Sequence, residues 1–391
     1  LLYERQMADI NNPNVGIPKR VGTRDTLRQL IAAKDTPHKQ RMHALAVLMS
    51  TWEIEEGQTQ YLMKNAQPAV QASIVRLLGN VCRASTAQIA TLNGLATTGT
   101  PDVKLQVAIA ARKIDGVEPM PLLLKVLANC GDDKLIPHIV WQNLHPLLEE
   151  NPEPFLTAAK DPEFLRSKHA SEFLPRAAER ILGRKKFEAG AIARLVEITR
   201  DGAPKVAHNL LALLATKVQS GEIRGEQLQQ LQAALAETLE PLLGGPALHP
   251  AGDEAALLAA SWGDERGIKR ARETFSVNGL QNDYRIRGLA ALISGKDKEL
   301  LPLVADALTG SVSPVQDPAD FRGKLLAMLG KLDDPKVADI VLASYAKLEP
   351  DAKPKAIQLL TQRTSWAGKL IAAIGDKKIP AEALNVNQVR Q

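Results

Sequence analysis

Seven histidines and two cysteines are the residues of this sequence best suited to metal ligation or nucleophilic chemistry, and their spacing limits what they can do. His138 and His145 both fall in PHIVWQNLHPLLEE, two helical turns apart and therefore on one face. His38 and His43 lie in an equivalent earlier stretch, PHKQRMHALAVLMS, whereas His169, His208 and His249 are isolated. A metal or haem site needs further ligands at matching height. None is visible beside these pairs, so the expectation is exposed or hydrogen-bonded helix histidines. Cys82 and Cys130 come without a C-x-x-C and without a second cluster. That excludes a zinc ribbon, a thiolate cage or covalently attached c-type haem within the chain. Both are read as buried or half-buried thiols, not joined to each other.

Paired carboxylates are the other resource for acid–base chemistry. Asp132-Asp133, Glu149-Glu150 and Asp333-Asp334 sit at helix ends or turns. Adjacent carboxylates on a helix point in different directions, and an Asp beside a helix start caps it. The sequence has no G-x-S-x-G elbow, no P-loop and no G-x-G-x-x-G after a strand. No catalytic, cofactor-binding or metal-ligating residue is therefore assigned. Trp52, Trp141, Trp262 and Trp366 are too scattered for a base-stacking platform and are expected in packing roles. The basic runs Arg184-Lys185-Lys186 and Lys269-Arg270-Ala271-Arg272 are short and read as solvated helix ends. With a net charge of +5 and a pI near 9.0, Lys and Arg are interspersed with Asp and Glu. A nucleic-acid footprint needs a clustered patch instead.

The elements carrying these residues are helices. PAVQASIVRLLGNVCR (68–83) opens on Pro68 and sets Val70, Ile74, Leu77, Leu78 and Val81 on one face. Pro37, Pro101 and Pro137 open similar stretches, so the four prolines are spaced by 31, 33 and 36 residues; Pro318 and Pro350, 32 apart, repeat the interval. Helices also fit 24–34, 57–65, 84–98 and 117–130, joined by links such as Asp35-Thr36 and Gly99-Thr100 that force antiparallel neighbours. A helix burying one face every thirty-odd residues is the signature of an α-solenoid. Composition agrees: 45% hydrophobic, 24% charged and only 4% aromatic, with Ala and Leu dominant, suits closely packed helix pairs and not a β-sandwich. The expected fold is all-α, a right-handed α-solenoid of antiparallel helix pairs.

Later segments are less regular. Asn151–Pro154 reads as a turn, with helices at 162–183, 187–200, 204–219 and 224–241. LLGGPALHPAG (242–252), with adjacent glycines and two prolines, cannot sit inside a helix. It is expected to be a hinge (243–252) between solenoid segments 1–242 and 253–391. Helices then resume at 252–261, 264–274, 282–294, 297–308, 318–331, 335–347, 352–362 and 366–375. The amino-terminal stretch reads as a short helix and then a loop, NNPNVGIPKRVG. No run is apolar for long enough to span a membrane. The helix-like start at Leu1 and the polar end, 381–391, suggest a piece of something larger, with a further domain after Gln391.

Three stretches together resemble a known family. DDKLIPHIVWQNLHPLLEENPEPFL (132–156), residues 332–391 and residues 1–52 are similar to the helical domain of PVC-type haem-binding bacterial proteins. In the second stretch Arg363, Trp366, Leu370-Ile371, Lys378-Ile379-Pro380 and Arg390-Gln391 carry the match. Members of that family join a dehydrogenase-like β-propeller, a HEAT-like domain and a cytochrome c domain. His145 departs from the pattern, standing where the family often has Glu before the proline. The resemblance implies HEAT-like repeats, a periplasmic or secreted location, and a non-catalytic scaffold that spaces a propeller from a cytochrome. Haem c would belong to the neighbouring domain and no cofactor to this chain. The expected partners are neighbouring domains of the parent chain or other proteins, and nucleic acid is not expected. Two alternatives stay open: a nucleic-acid-binding HEAT module of the alkylation-repair glycosylase type, and a HEAT-type lyase or chaperone that delivers a cofactor to a partner.

Overall fold

A computed structural model describes residues 17–33, 35–50, 55–244, 249–277, 280–310 and 317–384. These form twenty-two α-helices and two short 3-10 turns, and no strand occurs among the described residues. The chain divides into two compact units, residues 1–186 and 187–391. The hinge expected at 243–252 falls partly outside the described residues; helix ends at Gly244 and resumes at Gly252.

Unit 1 begins with α1 (Ile17–Ala32), α2 (His38–Ser50), α3 (Glu56–Asn65), α4 (Pro68–Val81), α5 (Thr86–Thr98) and α6 (Pro101–Ala110). It continues with α7 (Pro119–Asn129), α8 (Ile136–Glu150), α9 (Glu153–Ala158), α10 (Pro162–Arg166) and α11 (Ala170–Leu182). Pro68 and Pro101 stand in the first turns of α4 and α6, where a missing N–H costs no helical bond. Val70, Ile74, Leu77 and Leu78 are buried as the periodicity requires. Helix α5 starts on a capping box. The Ser85 backbone N–H donates to Gln88 Oε1 at 2.8 Å, and Gln88 N–H donates to Ser85 Oγ at 3.4 Å. Helices pack in sequential pairs, α1 on α2, α3 on α4, α5 on α6 and α7 on α8, and also on the helix two along: α3 on α5, α4 on α6, α5 on α7 and α6 on α8.

Three expectations for this unit need correction. The first described helix starts at Ile17, not Arg24, with Pro18 in its first turn, where it breaks nothing. The turn read at 151–154 is shorter, because α9 already begins at Glu153, and Phe155 and Leu156 of this helix are buried. The single helix read at 162–183 is two, because Ser167 is extended and the chain turns at 167–169. That turn carries the His169 ring against Cys130 and the Gly131 carbonyl.

Unit 2 begins with α12 (Ala189–Gly202), α13 (Pro204–Gln219), α14 (Glu226–Gly244), α15 (Gly252–Ser261), α16 (Glu265–Ser276) and α17 (Asn282–Ser294). It ends with α18 (Leu300–Thr309), α19 (Pro318–Leu329), α20 (Lys336–Ser344), α21 (Lys353–Leu360) and α22 (Thr364–Gly375). The same alternation holds: α13 packs on α15, α15 on α17, α17 on α19, α19 on α21 and α20 on α22. Helix α14 carries Pro241 inside it and runs on to Gly244. Helix α15 is buried from Glu254 through Ser261, enclosed by α13, α14, α16 and α17. Its alanines let α16 approach closely. A Cβ on Gly267 would stand 2.7 Å from the Ala256 carbonyl oxygen and 2.9 Å from the Ala259 carbonyl carbon.

Candidate interaction surface

The most heavily buried carboxylate of unit 2 is Glu254, on enclosed α15, with no exposed surface. Its Oε2 pairs with the Arg287 guanidinium of α17, and the His208 Nε2 of α13 stands 3.5 Å from Oε1. His208 Nδ1 lies 3.3 Å from the Pro250 carbonyl. One residue earlier, Asp253 Oδ1 accepts from Arg270 Nε at 3.0 Å and Nη2 at 2.8 Å. Arg287 also lies 5.7 Å from the Tyr284 ring centre. Burial first, then the carboxylates of Asp253 and Glu254, push the Tyr284 hydroxyl well above its ordinary range. A recess of about 290 Å³ opens beside this network, lined by Asp253, Arg266, Lys269 and Arg270 among others, but Glu254 and His208 do not reach it. Glu254 Oε2 is thus spent on Arg287, while Oε1 accepts no hydrogen bond and has the His208 imidazole nearby, so that the three residues join α13, α15 and α17.

Unit 1 contains one cysteine–histidine contact. Cys130 Sγ lies 3.3 Å from His169 Nε2. The same nitrogen is 3.0 Å from the Gly131 carbonyl oxygen, which can only accept, so Nε2 carries a proton. A protonated Nε2 cannot take the thiol proton, and the thiol itself faces the Leu127 carbonyl at 3.2 Å. Burial is the main influence on Cys130, and its pKa rises, opposite to an activated thiolate. The pair holds the turn before α11 against the end of α7. Both cysteines are free. Cys82 corrects the expectation of burial: it ends α4 at φ 58° and is exposed.

A different arrangement crosses α4, α6, α8 and α11, each packed on the next. Arg76 and Asn80 of α4 face Gln106 of α6 and Lys113 just beyond it around a recess of about 340 Å³, floored by Gly79, Ile109 and Ala110. The Lys113 stem runs over Gly79. Next to Lys113, Arg112 lies within electrostatic reach of His145 on α8, as do Arg176 and Arg180 of α11. Burial first, then these three guanidinium groups, lowers the His145 pKa below its ordinary 6.5. Arg176 lies 4.2 Å over the Trp141 ring, Phe173 meets the same indole edge-on at 5.7 Å, and Arg180 pairs with Glu149. Among the described residues no ion pair engages Arg76, Arg112, Lys113 or Arg176.

The remaining residues weighed from the sequence are placed as follows. His138 faces Gln142 across one turn at 2.9 Å, and His249 bridges the Arg200 carbonyl and the Ala251 N–H. Asp133 caps α8, accepting from the N–H groups of Leu135 and Ile136 at 2.8 Å each. Asp132 pairs with Lys168, and Asp333 with Arg363. Trp366 is fully buried and donates to the Asp334 carbonyl at 3.1 Å; Leu370 is buried but its neighbour Ile371 is 66% exposed. Trp52, Arg390 and Gln391 lie outside the described residues.

Of the two basic runs, one differs from the helix-end reading. Lys269–Arg272 sits mid-helix in α16, with Arg270 bound to Asp253 and Arg272 to Asp297. The run 184–186 follows directly on the end of α11, as read, and Arg184 donates to the carbonyls of Glu149 and Glu150, capping the end of α8. The strip around His145 was missed because its members are scattered over residues 76–180. Only the packing of every second helix collects them. No group of His, Cys, Asp and Glu among the described residues has the arrangement of a metal site, and no helix among them is long and apolar enough to cross a membrane. No protein-family model matches the sequence, and no curated protein matches it.

Proposed function

We propose that the chain is a non-catalytic scaffold: a right-handed α-solenoid of HEAT-like helix pairs that binds protein partners or neighbouring domains and holds them apart. The observation that carries the reading is the way side chains able to do chemistry are used. Glu254, His208 and Arg287 join three helices, Cys130 and His169 fix a turn, and Asp133 caps a helix. Helices that touch mainly the next one or two in order give a body that can transmit distance and angle between its ends. The resemblance to PVC-type proteins supports a setting between a dehydrogenase-like propeller and a cytochrome c domain, in the periplasm or outside the cell.

Two experiments test this. The purified chain should show no haem absorbance and no oxidation of sugars or alcohols with an artificial electron acceptor; covalent haem or turnover by this chain alone would overturn the scaffold reading. The coding sequence around the chain tests its setting. A C-x-x-C-H downstream of Gln391 supports the electron-transfer context, and a different neighbouring domain removes it.

A further inference from the structure

Residues 1–186 hold 24 Lys and Arg against 19 Asp and Glu, whereas 187–391 hold 25 of each, so the net positive charge belongs entirely to unit 1. Both units pair some cations with carboxylates on other elements, as Arg28 with Glu55, Lys168 with Asp132 and Arg180 with Glu149 in unit 1. In unit 2, Arg266, Arg270, Arg272, Arg287, Arg322 and Lys369 each meet a carboxylate on another helix or its flanking turn. In unit 1, among the described residues, Arg76 on α4, Arg112 and Lys113 just beyond α6, and Arg176 on α11 have no carboxylate partner; α8, which packs on both α6 and α11, lies between them. Cations left unpaired on one surface keep it positive and draw in anions.

We propose that this strip, from the recess of Arg76, Asn80, Gln106 and Lys113 to Arg112, His145 and Arg176, binds an acidic segment of a partner protein. The proposal rests on the scaffold reading and names the partner chemistry of its interaction surface. The recess offers two cations and two amides around an apolar floor and no carboxylate. That lining suits a carboxylate side chain, with the charge taken by Arg76 and Lys113 and the methylenes laid on Ile109. Packed helices stand about 8–10 Å apart, and an extended peptide covers that span in about three residues. Acidic groups at such spacing would meet successive cations of the strip.

Nucleic acid fits less well. The Trp141 indole in the strip has Arg176 over its ring, which leaves it no open face on which a base could stack.

The test is fluorescence anisotropy of the whole chain with a labelled oligoglutamate peptide and with a single-stranded oligonucleotide of equal charge, at low and physiological salt. The peptide should bind, and the double variant R76E/K113E should weaken it at least about tenfold. A charge-matched control in unit 2, K298E/K347E, alters exposed lysines and should change binding less than about twofold. R112E serves as an independent variant should R76E/K113E fold poorly. The peptide's carboxylates should also move the NMR titration of His145 upward on binding. Equal weakening by both double variants, no peptide binding at low salt, or tighter binding of the oligonucleotide would each overturn the proposal. None of these outcomes bears on whether the chain carries haem or turns over a substrate, so the scaffold reading stands or falls separately.

Discussion

Arg285 of α17 holds its guanidinium 4.0 Å over the ring of Phe321 on α19, and neither side chain has surface exposed to solvent. Its Nε donates to the Phe275 carbonyl at 2.9 Å, but Nη1 and Nη2 have no hydrogen-bond partner. Burial lowers the Arg285 pKa, which is the mark of a cation whose desolvation is not offset by a carboxylate.

Replacing that cation by an apolar side chain of similar length should therefore be tolerated. R285M loses the ring contact and the bond to Phe275, but it also removes an unpaired buried charge. The expected change lies between none and a gain of about 2 kcal/mol, whereas R285A should lose about 2–4 kcal/mol by leaving a cavity. Urea unfolding followed by circular dichroism measures both. An R285M variant as unstable as R285A would show that the charge, and not the volume, holds α17 to α19.

Backbone approach predicts opposite signs for two glycine-to-alanine changes in helices. Gly267 faces the α15 backbone, where a methyl group would stand 2.7 Å from the Ala256 carbonyl oxygen. G267A should cost about 2 kcal/mol or more, since neither backbone can yield without separating α15 from α16. Gly368 on α22 has nothing within 4 Å of the equivalent position. G368A should stabilise by about 0.5–1 kcal/mol through the helix preference of alanine. Melting temperatures of the two variants, compared with the parent, decide the matter.

How much of this was legible beforehand depends on range. Helices α4, α6 and α19 could be read directly, because Pro68, Pro101 and Pro318 mark their first turns and an apolar stripe follows within fourteen residues or fewer. Local chemistry also gave the Asp133 and Asp334 caps, each accepting from N–H groups two or three residues on. Whatever depends on partners in other elements was hidden. Nothing in DERGIKRARETF says that Arg272 will find Asp297 or that Gly267 will face Ala256. The break at Ser167 was equally hidden, since the His169 side chain meets its partners at Cys130 and Gly131, 39 and 38 residues earlier in the chain.

Acid should weaken unit 2 through Asp297. Burial by itself would raise the Asp297 pKa, but the Arg272 guanidinium and the backbone N–H groups of Glu299 and Lys298 outweigh it, and the net shift is downward from 3.8. A carboxylate with a depressed folded pKa contributes its full stability above the unfolded value and loses it as pH falls through the folded one. Asp201, held by Arg200, and Asp320, held by Lys324, act in the same direction. Urea midpoints should hold level from neutral pH to about pH 5 and fall steeply below about pH 4. D297N should lower the neutral plateau and flatten the acid limb. An unchanged acid limb would show that the Asp297–Arg272 pair contributes nothing to the folded state.

The Glu254–Arg287 pair predicts an asymmetry between its two halves. Glu254 has no exposed surface, whereas the Arg287 side chain is 39% exposed and can return to water when its partner is removed. E254Q keeps the shape and leaves a cation that re-solvates, so its cost should be about 1–2 kcal/mol. R287Q strands a carboxylate inside α15, with only His208 near, at 3.5 Å from Oε1 and charged only when protonated. Its cost should be about 3–5 kcal/mol, the usual penalty of breaking a buried pair from the side that leaves a charge behind. The double variant E254Q/R287Q should recover most of that difference, because the stranded charge is gone. A double-mutant cycle by urea unfolding at neutral pH gives all three values. Equal losses for E254Q and R287Q would place Glu254 in contact with water and remove the pair as the link between α15 and α17.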